Sequence, residues 1–481
     1  MPSPRIITFV ALAILTGSCL SGCATYSDKV KSAQKAVATG QTKRAVELLN
    51  ERLDTDSENR LPKKLEDTDT LVLLERATVL QAMGKYKLAA RDMMVADDRM
   101  EYLDLTTANK AKVGKWLYSG SSVTYRAPPY ERLLLNTLNM INFLALRDVS
   151  GAKVEARRFA LLEHFFVDKQ DREVLGGILG LGNYFGGAAF EAAGDYRNAA
   201  RYYSRAYYFG VRHAGFKDRL VDLFAMTGFS PSELTADDAD ALSEIRQAAE
   251  TRQPPSFDAY GQKYLKGDTL IVVQTGLVPY KEPKRIPIAR AMTYSQRHAY
   301  YGMTIAASTR SNAQMLVAKG TLDSVNFPML TRKGIPVKRG VNLQIAGSSV
   351  SNYARVDVAQ QVEAGWTRIA GSLMAAAITR LVTRVVAGEA TRQGVQAAAG
   401  NAKGAGVAGA LAGIAVQGAM SAADKPDTRS WMLLPAEVRI ARTQMSPGVH
   451  SITLKVEGRT DTRQLTVREN SLNLVNFSRL R

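Results

Sequence analysis

A chain of 481 residues, 46% hydrophobic and 22% charged, is long enough for two or three packed domains and too apolar to remain disordered. Its two cysteines, Cys19 and Cys23, both lie near the start, which excludes a disulfide framework or a thiolate metal site further along. The net charge of +18 is unevenly placed: residues 24–257 carry about +1 and residues 258–481 about +16.

Arg5 is the only charge before Cys23, and Ile6 to Leu15 is an uncharged, mostly apolar run. That run is too short to span a bilayer as a mature helix but suits the core of an export signal. Leu20-Ser21-Gly22-Cys23 follows and resembles the lipobox of bacterial lipoproteins. The resemblance implies a signal peptide over 1–22, cleavage before Cys23, and acylation of the Cys23 thiol by lipid, palmitate included. Ala24, rather than an aspartate, follows the cysteine. By resemblance to enterobacterial sorting, the chain is then expected in the outer membrane, lipid-anchored and facing the periplasm. Cys19 leaves with the signal, so folding rests on core burial alone. In that compartment nucleic acid is not an expected partner. A basic half would meet phospholipid head groups, lipopolysaccharide phosphates or anionic glycan, or would simply be solvated.

Residues 23–252 read as an α-helical domain. Around Gly194 the residues Gly187, Phe190, Tyr196, Ala199, Tyr203 and Ala206 recur at offsets shared by Ala77, Leu80, Tyr86, Ala89, Met93 and Ala96 around Gly84. Ala33, Ala36, Thr42, Ala45 and Leu49 repeat most of them around Gly40, and a weaker unit centres on Gly151. These offsets resemble the tetratricopeptide (TPR) repeat, in which a glycine ends the first helix and small residues let the pair approach. The glycines are 44, 67 and 43 residues apart, so the expectation is an interrupted, TPR-like array. By fold analogy such an array implies a surface for an envelope protein partner. Phe216 to Ala249 reads as two further helices, and Gln253-Pro254-Pro255 as a linker.

Residues 258–360 and 425–481 read as a β-rich domain. Strand candidates are Thr269 to Thr275, Val341 to Ile345, Ala436 to Ile440, Ile452 to Val456, Leu465 to Val467 and Leu472 to Phe477, with a turn at Pro447-Gly448. The fold class expected is α+β: TPR-like helices, then an antiparallel, sandwich-like domain interrupted by a Gly/Ala-rich helical segment at 361–424. In that segment Val362, Trp366, Ile369, Leu373, Ala377, Leu381 and Val385 step by three and four, as an amphipathic helix does. Gly404 to Ala423 carries no charge. Its length allows a membrane span, but its Ala/Gly composition suits a close-packed hairpin better.

Gly276 to Pro279, Arg285-Ile286-Pro287, and Asp427-Thr428-Arg429-Ser430-Trp431 leading into Leu434-Pro435-Ala436, together with the lipobox, resemble an uncharacterised family of bacterial envelope lipoproteins with a TPR-like first half. The resemblance implies work in cell-wall or outer-membrane assembly and no assigned activity. Asp427 to Trp431 reads as structural, with Arg429 pairing to Asp427 or a main-chain carbonyl and Trp431 in the core.

His164, His213, His298 and His450 stand apart, without paired-ligand spacing. GxSxG and GxxxxGK[ST] are both missing from the sequence. The expectation is a protein-protein interaction scaffold, not an enzyme, with no cofactor, no metal and no catalytic residue. The alternative is that the basic half binds anionic lipid or glycan.

Overall fold

The protein is described from a computed structural model over residues 25–66, 68–100, 125, 127–166, 169–229, 241–299, 304–332, 341–345, 348–399, 426–456 and 458–480. It is an α+β protein: a helical region of paired helices, then mixed and antiparallel sheets with a long helix.

Among the described residues four helical pairs form the first half: α1 (Tyr26–Ala38) with α2 (Thr42–Arg52), α3 (Asp69–Ala82) with α4 (Tyr86–Arg99), α5 (Pro129–Ala145) with α6 (Val149–Phe166), and α7 (Lys169–Ala192) with α8 (Tyr196–Tyr208). One turn closes all four. Gln41, Lys85, Asp148 and Asp195 each donate a main-chain N–H to the carbonyl five residues back, on Ala36, Leu80, Phe143 and Phe190 at 2.8–2.9 Å. The residue before each donor is left-handed: Gly40, Gly84, Arg147 and Gly194, with φ between 61° and 81°. This is the Schellman end of a helix, which favours glycine because a Cβ is strained there. The third unit therefore corrects the sequence register. Its hinge is Arg147, not Gly151, which sits within α6 where a Cβ would overlap the Phe143 ring. Counted from Arg147, the small positions are Ala152 and Ala156, both fully buried like Ala45, Ala89 and Ala199.

Shorter helices follow: α9 (Phe216–Thr227), α10 (Ser243–Glu250) and α11 (Phe257–Leu265). The sheets then begin. β1 (Asp268–Leu277) lies between β10 (Asn473–Arg479) and β7 (Pro435–Gln444), and β7 pairs on its far side with β6 (Ala354–Asp357). A second sheet has the order β5 (Ser348–Val350), β4 (Val341–Ile345), β8 (Gly448–Val456), β9 (Arg459–Val467). The expected all-antiparallel arrangement is corrected at one pair: β10 runs parallel to β1, Thr269 opposite Asn473 through Thr275 opposite Arg479. A parallel neighbour needs a long crossover, and nearly the whole second half separates these two strands.

β1 is buried along its length, which accounts for its unbroken apolar run. Leu270 and Val272 point to the helices, sharing a core with Val438 and Ile440. Ile271 and Val273 point the other way, where with Val475 and Phe477 they meet Leu343, Ile452, Leu454 and Val467 of the second sheet. Helices, first sheet and second sheet are thus three successive layers, and the helical core is continuous with one face of the first sheet.

A third core belongs to a separate lobe. The hairpin-like pair β2 (Tyr280–Pro287) and β3 (Ser324–Thr331) is joined through α12 (Ile288–Arg297) and α13 (Ala307–Ala318). All pack on the middle of α14 (Val358–Ala399), through Trp366, Ile369, Met374, Ile378 and Leu381. The apolar stripe expected from Val362 to Val385 is the face α14 buries. By length and composition Val358–Ala390 could cross a membrane, yet half of its most apolar stretch is buried within the fold. Gly404 to Ala423 lies outside the described residues. The sequence missed β2, β3, β5, β6, α12 and α13, all short or weakly patterned.

Candidate functional site

The residues 426–434, between α14 and β7, belong to no sheet, and 432–434 turn into β7. Their buried N–H groups need acceptors, and two helices supply carboxylates. Glu75 of α3 accepts from Met432 N–H at 2.7 Å with Oε1 and from Leu433 N–H at 2.8 Å with Oε2. Glu131 of α5 accepts from Trp431 N–H at 3.1 Å and from the Tyr125 hydroxyl. The Trp431 indole donates to Thr78 Oγ1 at 2.9 Å, and its side chain is 1% exposed. Lys281 of β2 donates to the Arg429 carbonyl at 2.8 Å and places its ammonium 4.5 Å over the Trp366 ring.

This clamp sets the local electrostatics. Burial raises Glu75 to about 8, opposed by the two main-chain N–H donors and reinforced by the charge of Glu131. Burial also raises Glu131 and lowers Lys281. For Asp427 burial acts upward, but the hydrogen bonds and charge of Arg429 outweigh it and hold the carboxyl low. Arg429 does pair with Asp427, and Trp431 is core, as read from the sequence. The carboxylates are enclosed and hydrogen-bonded to main chain, an arrangement that fixes a segment rather than one that presents an acid or base to substrate.

A second buried network joins helices to the first sheet. Arg442 of β7 makes a forked contact to Asp268, meets Glu191 of α7 at 2.9 Å, and donates to the Tyr203 hydroxyl at 2.7 Å. Arg219 of α9 pairs with the same two carboxylates, and Tyr260 donates to Glu191 at 2.7 Å. Burial alone would raise Glu191; Arg219 and Arg442 outweigh it and hold it at about 2. His213, beside Tyr184 at 2.8 Å, is lowered by burial to about 4 and stays neutral.

The third feature is open. A groove of about 520 Å³ lies along α12, lined by Ile286, Arg290, Thr293, Tyr294, Arg297 and His298, with Ala289 and Met329 completing its wall. Pro287 is the N-cap of α12, and Arg285 makes a two-pronged pair with Asp323 at 3.0 and 2.8 Å. Arg290 and Arg297 are exposed, two turns apart, and pair with no carboxylate among the described residues. Tyr294 and His298 stack at 4.4 Å.

Cys23, the lipidation residue expected from the sequence, lies outside the described residues; the described chain starts at Thr25. His213 is buried, His298 lies in the groove, His164 is exposed and His450 is half-buried elsewhere. Among the described residues there is no group of three His, Cys, Asp or Glu suited to a metal. Sequence reasoning missed Glu75 and Glu131. Glu75 and Arg76 interrupt an otherwise apolar stretch, Thr70 to Leu80, and that was the available signal. The main-chain N–H groups that Glu75 and Glu131 accept from lie 300 and more residues away.

An α+β protein with helical pairs clamped onto a mixed sheet is the class this architecture defines. No protein family matches the chain, and no curated protein or solved structure does so either.

Proposed function

We propose that the chain is an outer-membrane lipoprotein, anchored through Cys23, whose TPR-like helical half is a scaffold for an envelope protein, in cell-wall or outer-membrane assembly. The four helical pairs closed by one shared turn are the observation that carries the TPR-like reading. Part of the helical surface is already covered by residues 426–434 and the first sheet, so the partner is assigned to what is left open. On α6 Val154 and Leu161 are exposed at 45% and 52%, seven residues apart on one face, with Arg157 between them.

Two tests separate address from interaction. Cys23→Ser should abolish palmitate labelling and release the protein from outer-membrane fractions; labelling that persists removes the lipoprotein reading. Crosslinking in native membranes should recover one envelope protein in near-equal amount. Leu161→Asp should cut that yield at least tenfold, because a carboxylate is poorly tolerated where an apolar anchor was buried. An unchanged yield would move the interface elsewhere.

A second reading has its own support: the basic half binds anionic lipid or glycan. The observations favouring it are the placement of about +16 of the charge after residue 257 and the arginine-lined groove on α12.

A further inference from the structure

Three facts about the α12 lobe combine. First, its groove pairs a cationic rim with an apolar wall. Arg290 and Arg297 stand on one side of α12, while Ile286 and Met329 of β2 and β3 supply the wall. A guanidinium offers forked donors that match phosphate oxygens, and an apolar wall beside it suits the glycerol and first methylenes of a lipid. Nearby carboxylates do not cancel the rim: Asp323 is taken by Arg285, and Glu363 by Arg332.

Second, the lobe carries exposed apolar side chains, Met315 and Val317 on α13 and Val386 on α14, with the cations Lys284, Lys319 and Arg384 also exposed. Third, the first described helix touches the strand that leads into α12. Tyr26 begins α1 three residues after Cys23, a distance of at most about 11 Å of chain. α1 packs against β2, and Ser27 N–H meets Thr428 Oγ1 at 3.4 Å. From Tyr280 to Ile286 the strand advances roughly 20 Å and then enters α12 directly. The path from Cys23 through α1 and along β2 to the start of α12 is therefore on the order of 30 Å.

We propose that the groove between α12 and the β2–β3 pair binds the phosphate head group of an anionic phospholipid in the membrane that holds the anchor, gripped by Arg290 and Arg297. The proposal rests on the second reading above and gives it a site. Bound this way, the lobe would orient the whole protein on the bilayer, a task one acyl anchor alone does not perform.

The test uses the full chain carrying Cys23→Ser, so that no acyl chain contributes, and flotation with vesicles. Neutral phosphatidylcholine vesicles report any apolar adsorption, and phosphatidylglycerol mixed into them reports the charge-dependent part. Binding should require phosphatidylglycerol and weaken steeply with salt. Arg290→Gln/Arg297→Gln should weaken it about thirty-fold, each basic side chain at an anionic surface being worth roughly fivefold. Lys455→Gln/Arg459→Gln, the same charge change on β8 and β9, should weaken it less than twofold. Circular dichroism and melting temperature confirm that both variants are folded. Equal losses in the two variants, or no preference for phosphatidylglycerol, overturn the site. Inorganic phosphate that displaces the protein at matched ionic strength would assign the groove to free phosphate, and anionic glycan that competes where phosphatidylglycerol does not bind would assign it to glycan; either overturns the lipid. These outcomes are independent of palmitate labelling at Cys23, so failure of the site and failure of the anchor are distinguishable.

Discussion

Arg442→Met should lower the unfolding free energy by about 3–5 kcal/mol, the usual cost of removing one member of a buried ion network. Arg442 is 2% exposed at its side chain and serves two carboxylates, Asp268 and Glu191, as well as the Tyr203 hydroxyl. Methionine fills much of the same volume, so the loss is electrostatic rather than a cavity effect. Among the described residues, Arg219 would remain paired with both acids. Arg442→Lys keeps the charge but not the fork and should lose less. The pH dependence has a definite sign. Glu191 ionises at about 2 in the fold against an ordinary 4.5, so its stabilisation is present above about pH 4.5 and is lost as pH falls towards 2. Arg442→Met should shrink that acid-side slope. Urea unfolding at several pH values measures both; a midpoint within error of the wild type would show that the network contributes nothing net.

Glu75→Gln should act at the opposite end of the pH scale. Glu75 has its folded pKa raised from 4.5 to about 8 by burial. The folded state therefore holds a proton that the unfolded chain releases above about pH 4.5. Stability from this group is complete below that value and is lost as pH rises through about 8, by an amount on the order of a few kcal/mol. The groups facing it are Tyr26 from α1, Glu131 from α5 and the N–H donors of Met432 and Leu433; Lys281, Asp427 and Arg429 lie around Glu131. The amide nitrogen of glutamine cannot accept one of the two main-chain N–H groups, which costs about 1–3 kcal/mol below about pH 4.5. The variant also cannot ionise, so this deficit should close or reverse by about pH 9. A wild-type protein whose stability is flat from about pH 6 to 9 would rule out the raised acid.

The same clamp explains how segments far apart in the chain act as one body. Trp431 reaches Glu131 and Thr78, and Met432 and Leu433 reach Glu75, so the stretch after α14 is held by α3 and α5 of the first half. The faces of α3 and α5 that carry Glu75, Thr78 and Glu131 are covered here by the protein's own chain. This is why the proposed partner surface moves to the outer face of α6.

Local patterning determined much of the fold. Gly40, Gly84 and Gly194 marked left-handed helix ends, because only a residue without Cβ takes that conformation without strain. The stripe from Val362 to Val385 marked the buried face of α14, and period-two alternation marked β4 and β8. These signals are legible because each depends on neighbours within one or two turns. The hinge at Arg147 was not, since the glycine signal there is missing and Gly151 offered a false one four residues on. Nor could spacing show that β10 lies parallel to β1, that Glu75 and Glu131 cap a segment more than 290 residues away, or that Arg290 and Arg297 share a groove with Met329. Residues decide their own helix, turn or strand through short-range sterics and hydrophobic period. Which buried charge meets which donor is decided only when layers pack, because the cost of desolvating each group depends on what the rest of the chain brings to it.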